Sequence, residues 1–133
     1  MNFFLNKKVG VLGLSRTGIS SIKFLQKKGF NVFGWDDDKK ILSKEKKRLN
    51  IKILNNSNLK KMSFLLTSPG IPCSGKKKHV ILKKAEKEKV EILNDIELFF
   101  RFNPEEKYIG VTGTNGKSTT VCLLSHIFKK LKI

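Results

Sequence analysis

Short apolar segments typical of β-strands alternate with segments of helical periodicity along most of the chain. Each strand-like segment is followed by a loop and then by apolar residues spaced three and four apart. Two consecutive parallel strands need a crossover connection, which is usually a helix. The alternation therefore predicts βαβ units and a parallel α/β sheet with helices on its faces. At 133 residues, the chain has room for one such domain and little more.

The apolar runs and their flanking glycine, proline and polar residues divide the chain into two parts. Strands are predicted over residues 8–12, 31–35, 51–54, 63–66, 90–93 and 107–111. Helices are predicted over residues 17–28, 39–49, 77–87, 95–102 and 119–131. The polar stretch 103–106 is typical of a linker. We expect residues 1–104 to form a Rossmann-like domain and residues 105–133 to begin a second α/β domain with one strand, one loop and one helix.

Composition disfavours several classes of protein. The formal net charge is +17, but the lysines are spread through every predicted helix and arginine is scarce, which favours a solvated surface over a nucleic-acid interface. No apolar run approaches the roughly 18 residues of a membrane span, and the N-terminus lacks the order of a signal peptide. The two cysteines, Cys73 and Cys122, have no partner at metal or redox spacing. We expect a cytoplasmic protein with free thiols.

A glycine loop, Gly13-Leu-Ser-Arg-Thr-Gly18, follows the first predicted strand. It resembles the dinucleotide fingerprint G-x-G-x-x-G, with Ser15 where the second glycine lets backbone approach a pyrophosphate. Asp36 ends the second predicted strand, where a Rossmann unit holds a ribose hydroxyl. The pattern predicts a nucleotide pocket and disfavours NAD. A purely structural tight turn stays open as the alternative.

Polar residues also follow the second and fourth predicted strands. The loop Thr67-Ser-Pro-Gly70 leaves a carboxyl strand end, where loops line the ligand crevice of an open parallel sheet. Its hydroxyls and glycine N–H suit phosphate oxygens, although a rigid turn explains it equally well. Asp37 and Asp38 either cap the following helix or contact a ligand.

The most specific motif is Gly113-Thr-Asn-Gly-Lys-Ser118, between a predicted strand and a predicted helix. Glycines let backbone N–H groups face an anion, and the helix N-terminus adds its dipole. Lys117, the one candidate catalytic residue, would neutralise the β- and γ-phosphates, and Ser118 or Thr119 would bind Mg²⁺. The candidate ATP-binding residues are Gly113, Thr114, Asn115, Gly116, Lys117, Ser118 and Thr119.

Three other polar residues have weaker signals. His79 and His126 fall on predicted helices without companions at metal-ligand spacing, so internally bonded or surface histidines are expected. Glu97 is expected on a helix face.

Five segments in this order are similar to the N-terminal part of the Mur ligase family. They are Gly13-Leu-Ser-Arg-Thr-Gly18, Asp36, Ser68-Pro-Gly-Ile-Pro72, Asp95-Ile-Glu-Leu-Phe99 and Gly113-Thr-Asn-Gly-Lys-Ser-Thr-Thr120. The last is shared with folylpolyglutamate synthase and the wider superfamily. The Ser-Pro-Gly-Ile and Asp-Ile-Glu-Leu-Phe runs point to the branch that adds D-glutamate to UDP-N-acetylmuramoyl-L-alanine in peptidoglycan synthesis.

The resemblance implies a cytoplasmic, monomeric, three-domain enzyme that uses ATP and Mg²⁺. ATP would phosphorylate the substrate carboxylate, and the amine of D-glutamate would attack the acyl phosphate. Arg16 and Thr17 would lie against the uracil, Asp36 and Asp37 would bind the uridine, and Gly70 would approach the diphosphate. The full set implied for the UDP substrate is Ser15, Arg16, Thr17, Asp36, Asp37, Ser68 and Gly70. The family pattern usually has glycine at the position of Ser15, which puts the local geometry in question.

The resemblance also implies residues and a domain beyond position 133, so we expect residues 1–133 alone to be inactive. Three alternatives stay open. One is another Mur-type or folylpolyglutamate-type ligase, and the second is a stand-alone UDP-sugar-binding module. A nucleic-acid-binding protein is the third and least favoured.

Overall fold

The computed structural model describes residues 7–131, and the chain divides into two compact units, with the boundary along the chain between Phe102 and Asn103. The strands of the first unit are β1 (Lys8–Leu12), β2 (Asn31–Trp35), β3 (Lys52–Ile53), β4 (Leu65–Thr67) and β5 (Ile92–Leu93). Its helices are α1 (Arg16–Lys27), α2 (Lys39–Arg48), α3 (Val80–Lys87) and α4 (Asp95–Phe102), with a single 3-10 turn at Leu59–Lys61. The second unit contains α5 (Lys117–Leu131). No helix within residues 7–131 is long and apolar enough to cross a membrane.

The five strands form one parallel sheet in the order β3-β2-β1-β4-β5. The central strand β1 pairs along its whole length with β2, from Lys8 opposite Asn31 to Leu12 opposite Trp35. On its other side it pairs with β4. The chain thus leaves β1 in one direction, to β2 and β3, and returns on the other side to β4 and β5. Such a change of direction opens a crevice at the carboxyl ends of the strands.

Side chains that alternate along the strands build a core on each face of the sheet. Val9 and Val11 of β1 pack with residues of α1 and α4 on one face, while Leu12 packs with residues of α3 on the other. Both cores are fully buried at their centres. The predicted parallel α/β sheet with helices on both faces is therefore confirmed.

Capping side chains set the starts of α4 and α3. At the start of α4, the Asn94 carboxamide accepts from the Glu97 N–H at 2.8 Å, and the Glu97 carboxylate accepts from the Asn94 N–H at 2.7 Å. This reciprocal capping box gives Glu97 a structural role. The prediction that α3 begins at residue 77 was wrong by three residues, because His79 is the N-cap and its Nδ1 accepts from the Ile81 N–H.

The predicted strand at 107–111 is wrong: the structure has coil there. A strand is defined by hydrogen bonds to a neighbouring strand, and within residues 7–131 none pairs with this segment. Two of its apolar residues, Ile109 and Val111, nonetheless line a cavity of about 380 Å³ together with Val121, Leu124 and Phe128 of α5.

Candidate nucleotide-binding site at the carboxyl edge of the sheet

Three loops come together at the carboxyl edge of the sheet because their strands are neighbours in the order β2-β1-β4. They are residues 13–15 after β1, 36–38 after β2 and 68–72 after β4. Backbone hydrogen bonds join the loop after β1 to β2, and the loop after β4 to β1. The Gly13 N–H donates to the Trp35 carbonyl at 2.8 Å, and the Ser68 N–H donates to the Leu12 carbonyl at 2.9 Å. The predicted loops thus lie side by side at one edge.

The floor of this edge is made by two glycines and a serine in close packing. Gly13 has φ of +91°, a conformation that side chains disfavour, and an added Cβ would lie 2.9 Å from Ser68 Cβ. A Cβ on Gly18 would lie only 1.9 Å from the Gly13 carbonyl oxygen. The buried Ser68 hydroxyl donates to that same oxygen at 2.9 Å. Gly13 and Gly18 therefore let α1 and the β4 loop approach each other closely.

Helix α1 begins at this edge with its N-terminus open. Ser15 is the N-cap, and the first helical bond is donated by the Ile19 N–H to the Ser15 carbonyl. The N–H groups of residues 16–18 precede that bond and lie at the positive end of the helix dipole. Ser15 has φ −74° and ψ −173°, an extended conformation that any residue adopts, so serine in place of glycine introduces no backbone strain.

Asp36 joins the first and second loops. Its Oδ2 accepts from the Leu14 N–H at 2.7 Å, and its Oδ1 accepts from the Asp38 N–H at 2.9 Å. Leu14 is almost completely buried, so its N–H has little access to water. The Asp38 carboxylate in turn accepts from the N–H groups of Lys40 and Ile41 and caps α2. Of the two roles left open for Asp38, the structure shows the cap.

Asp37 is held differently from its two neighbours. The Trp35 indole N–H donates to Asp37 Oδ1 at 3.0 Å, and His79 Nε2 lies 3.1 Å from both carboxylate oxygens. The Asp37 side chain is nevertheless 68% exposed. The hydrogen bond from Trp35, followed by the one from His79, lowers the pKa of the Asp37 carboxyl below its ordinary value. Asp37 therefore presents an ionised carboxylate to the surface of the site.

The Trp35→Phe variant is expected to raise the pKa of Asp37 towards its ordinary value, because it removes the strongest of these hydrogen bonds. A folded-state pKa below the unfolded one contributes stability that is fully present above the unfolded pKa and is lost as pH falls through the folded one. Because Asp37 is mostly exposed, the contribution should stay below about 1 kcal/mol. A ¹³C carboxyl titration below pH 5 measures the shift, and an unchanged Asp37 midpoint would contradict it.

The remaining predicted residues of this edge have different degrees of exposure. Arg16 and Gly70 are exposed, and no atom lies within 4 Å of a Cβ built on Gly70, so a ligand could approach its backbone. Thr17 is half-buried and lines a cavity of about 260 Å³ with Asp95 and Phe99. Their roles in ligand binding stay predictions, as does that of Ser68, whose hydroxyl donates inward.

In the second unit, the predicted phosphate loop leads directly into α5. Gly113 and Gly116 have φ of +147° and +77°, which glycine adopts readily. The Lys117 ammonium donates to the carbonyl oxygens of Gly113 and Thr114. The first helical bond of α5 runs from the Thr120 N–H to the Gly116 carbonyl, so the N–H groups of residues 117–119 precede it. The ATP and Mg²⁺ roles of this loop stay predictions.

Sequence reasoning missed the part that His79 plays. It was expected to be a surface or internally bonded histidine, and its ring is indeed only 10% exposed. Its partner Asp37 lies 42 residues away in the chain. No local pattern marks such a pair. The only available signal was the order of the strands, which brings the loop after β2 and the loop after β4 to the same edge.

The sheet order and its three edge loops define a doubly wound, Rossmann-like domain. Solved structures support that fold: the shikimate dehydrogenase of Aquifex aeolicus has a TM-score of 0.56 at 18% identity, covering 78% of this chain and 51% of that one. Dipicolinate synthase A chain of Bacillus subtilis has a TM-score of 0.51 at 14% identity, covering 99% of this chain and 49% of that one. At these identities the likeness shows the fold alone.

Sequence comparison defines the family. Residues 7–94 match the model described as "Mur ligase MurD-like, N-terminal domain". The chain is 40% identical over 133 residues to UDP-N-acetylmuramoylalanine–D-glutamate ligase of Wolbachia pipientis wMel, covering 97% of this chain. It is 38% identical over 130 residues to the enzyme of that name from Rickettsia conorii, covering 96% of this chain. The chain therefore belongs to the Mur ligase family, with an N-terminal domain of the MurD-like type. It spans 26% and 25% of the length of these two curated relatives.

Proposed function

We propose that this chain is the N-terminal part of an ATP-dependent ligase that adds D-glutamate to UDP-N-acetylmuramoyl-L-alanine in peptidoglycan synthesis. The observation that carries the proposal is the family match over residues 7–94, which contain all three loops of the carboxyl edge. The names of the relatives supply the two substrates. The segment spans about a quarter of those relatives, so its share of the reaction is to bind and orient the UDP substrate.

The chemistry of the carboxyl edge suits a uridine diphosphate. The open N-terminus of α1 offers N–H groups and a positive dipole end to a phosphate. The exposed backbone at Gly70 allows a diphosphate to approach from the β4 side. On the β2 side, the Asp37 carboxylate is an acceptor for hydroxyl or imide donors of a uridine. Donors for the phosphates and an acceptor for the nucleoside thus lie on neighbouring loops.

The second unit carries donors that fit the phosphates of ATP. The Lys117 ammonium and the N–H groups at the start of α5 would hold phosphate oxygens, and the exposed Ser118 and Thr119 hydroxyls would hold Mg²⁺. ATP supplies the phosphoryl group that activates the substrate carboxylate for amide formation. The role of Lys117 is to hold negative charge on the phosphates.

A titration experiment on the chain tests both parts of the proposal. UDP should bind, while NADH at the same concentration should not, because Ser15 departs from the G-x-G-x-x-G fingerprint of dinucleotide-binding loops. The Lys117→Ala variant should weaken Mg-ATP binding at least about ten-fold by removing a charged partner. UDP binding should stay unchanged in that variant, which is its internal control. Absence of UDP binding would contradict the proposed UDP site at the carboxyl edge. Equal Mg-ATP affinity in the parent and in Lys117→Ala would contradict the proposed ATP role of Lys117.

A further inference from the structure

We propose that His79 is a positioning residue of the nucleotide site, which orients the Asp37 carboxylate towards the ligand. This inference rests on the proposed binding of UDP at the carboxyl edge. It adds a residue at the start of α3 to a site otherwise made by the loops after β1, β2 and β4. It also assigns a function to a side chain that the family resemblance did not mark.

The two ring nitrogens of His79 have separate partners. Nδ1 accepts from the Ile81 N–H at 3.1 Å, so it carries no hydrogen in this arrangement. The neutral ring therefore carries its hydrogen on Nε2. Since Nε2 lies 3.1 Å from each oxygen of Asp37, this hydrogen is donated to the carboxylate. The backbone of α3 thus fixes the tautomer, and the tautomer fixes the direction of the hydrogen bond to Asp37.

Asp37 needs such support because it lies in an exposed loop. The Trp35 indole N–H fixes Oδ1 from the β2 side at 3.0 Å, and His79 fixes both oxygens from the α3 side. The carboxylate keeps further lone pairs, and 68% of its side chain is accessible. A carboxylate already held in one orientation loses less conformational freedom when it binds a ligand than a free one does. His79 therefore raises ligand affinity without contacting the ligand.

Helix capping alone does not require histidine at this position. Asparagine, aspartate and serine are stronger N-caps, and any of them would satisfy the Ile81 N–H. Only a side chain with a second polar atom farther out also reaches Asp37. The residue at position 79 thus combines a capping acceptor with a donor at longer reach, and these two functions can be separated by substitution.

Two variants of the full chain separate the capping function of His79 from its donor function towards Asp37. In His79→Asn, the carboxamide oxygen replaces Nδ1 as the cap, but the shorter side chain does not reach Asp37. In His79→Gln, the longer amide can replace the Nε2 donor, but the cap is lost. UDP titration and thermal melting are measured on both. We expect His79→Asn to bind UDP about ten-fold more weakly with its melting temperature within about 2 °C of the parent. We expect His79→Gln to melt lower and to bind UDP within about two-fold of the parent.

The outcomes distinguish this inference from the proposed function. A parent chain that fails to bind UDP overturns the proposed function and, with it, the role of His79. A parent chain that binds UDP, together with an unchanged affinity in His79→Asn, overturns the role of His79 alone. In the Asp37→Asn background, the His79→Asn change should have no further effect on UDP affinity. A further loss there would show that His79 acts through another residue and would also overturn the inference.

Discussion

Replacing Gly18 with alanine is expected to lower the melting temperature of the first unit by at least about 10 °C. The new Cβ would lie 1.9 Å from the Gly13 carbonyl oxygen and 3.1 Å from Ser68 Oγ. The Gly13 carbonyl directly follows β1, and its backbone is held by the hydrogen bond from the Gly13 N–H to Trp35. Helix α1 must therefore move away from the sheet. Overpacking of this kind costs about 3 kcal/mol. Gly13 itself holds φ of +91°, so the loop cannot easily give way.

The matched control is Gly70→Ala, in the loop after β4 at the same edge. No atom lies within 4 Å of a Cβ on Gly70, and its φ is not in the left-handed region. We expect this variant to keep its free energy of unfolding within about 0.5 kcal/mol of the parent. Differential scanning calorimetry on both variants gives the comparison. Equal melting temperatures for Gly18→Ala and Gly70→Ala would show that α1 does not pack against the loop as described.

Local sequence signals were sufficient where an element is defined by its own residues. The bounds of β1, β2 and α4 agree with the prediction, because glycine, proline or polar residues lie close to both ends of each apolar run. Helix α4 in particular has its cap within reach: Asn94 and Glu97 are three residues apart and bond each other. The signals that set these elements are contained in windows of about ten residues.

Local signals failed where an element depends on a distant partner. The apolar run 107–111 has the composition of a strand, but composition does not supply the neighbouring strand that hydrogen bonds require. The start of α3 was misplaced because lysines favour helix while the actual cap, His79, is also held by Asp37 from another loop. The site was predictable as a set of loops, because strand ends in a parallel sheet share an edge. The hydrogen bonds between those loops were not.

The Asp36→Asn variant is expected to destabilise the first unit far more than Asp37→Asn, although both remove one negative charge. Asp36 accepts from the Leu14 N–H at 2.7 Å and from the Asp38 N–H at 2.9 Å through different oxygens. Asparagine keeps one acceptor and turns an NH₂ group towards the other N–H. A hydrogen bond to a charged group contributes about 1.5–3 kcal/mol, so we expect a loss of about 2 kcal/mol. This corresponds to a melting temperature lower by roughly 8–16 °C.

Asp37→Asn is the matched control because it lies one residue away and receives its hydrogen bonds from side chains instead of from backbone N–H groups. Its carboxamide still offers an oxygen to Trp35, and the site is largely exposed, so the expected loss at neutral pH is below about 1 kcal/mol. Urea unfolding at pH 7 followed by circular dichroism measures both. Because Asp36 also fixes Asp38, the cap of α2, its loss should loosen two of the three loops and weaken UDP binding at least about ten-fold. Equal unfolding free energies for the two variants would show that the Leu14 and Asp38 N–H groups find other partners, and that Asp36 does not hold the edge together.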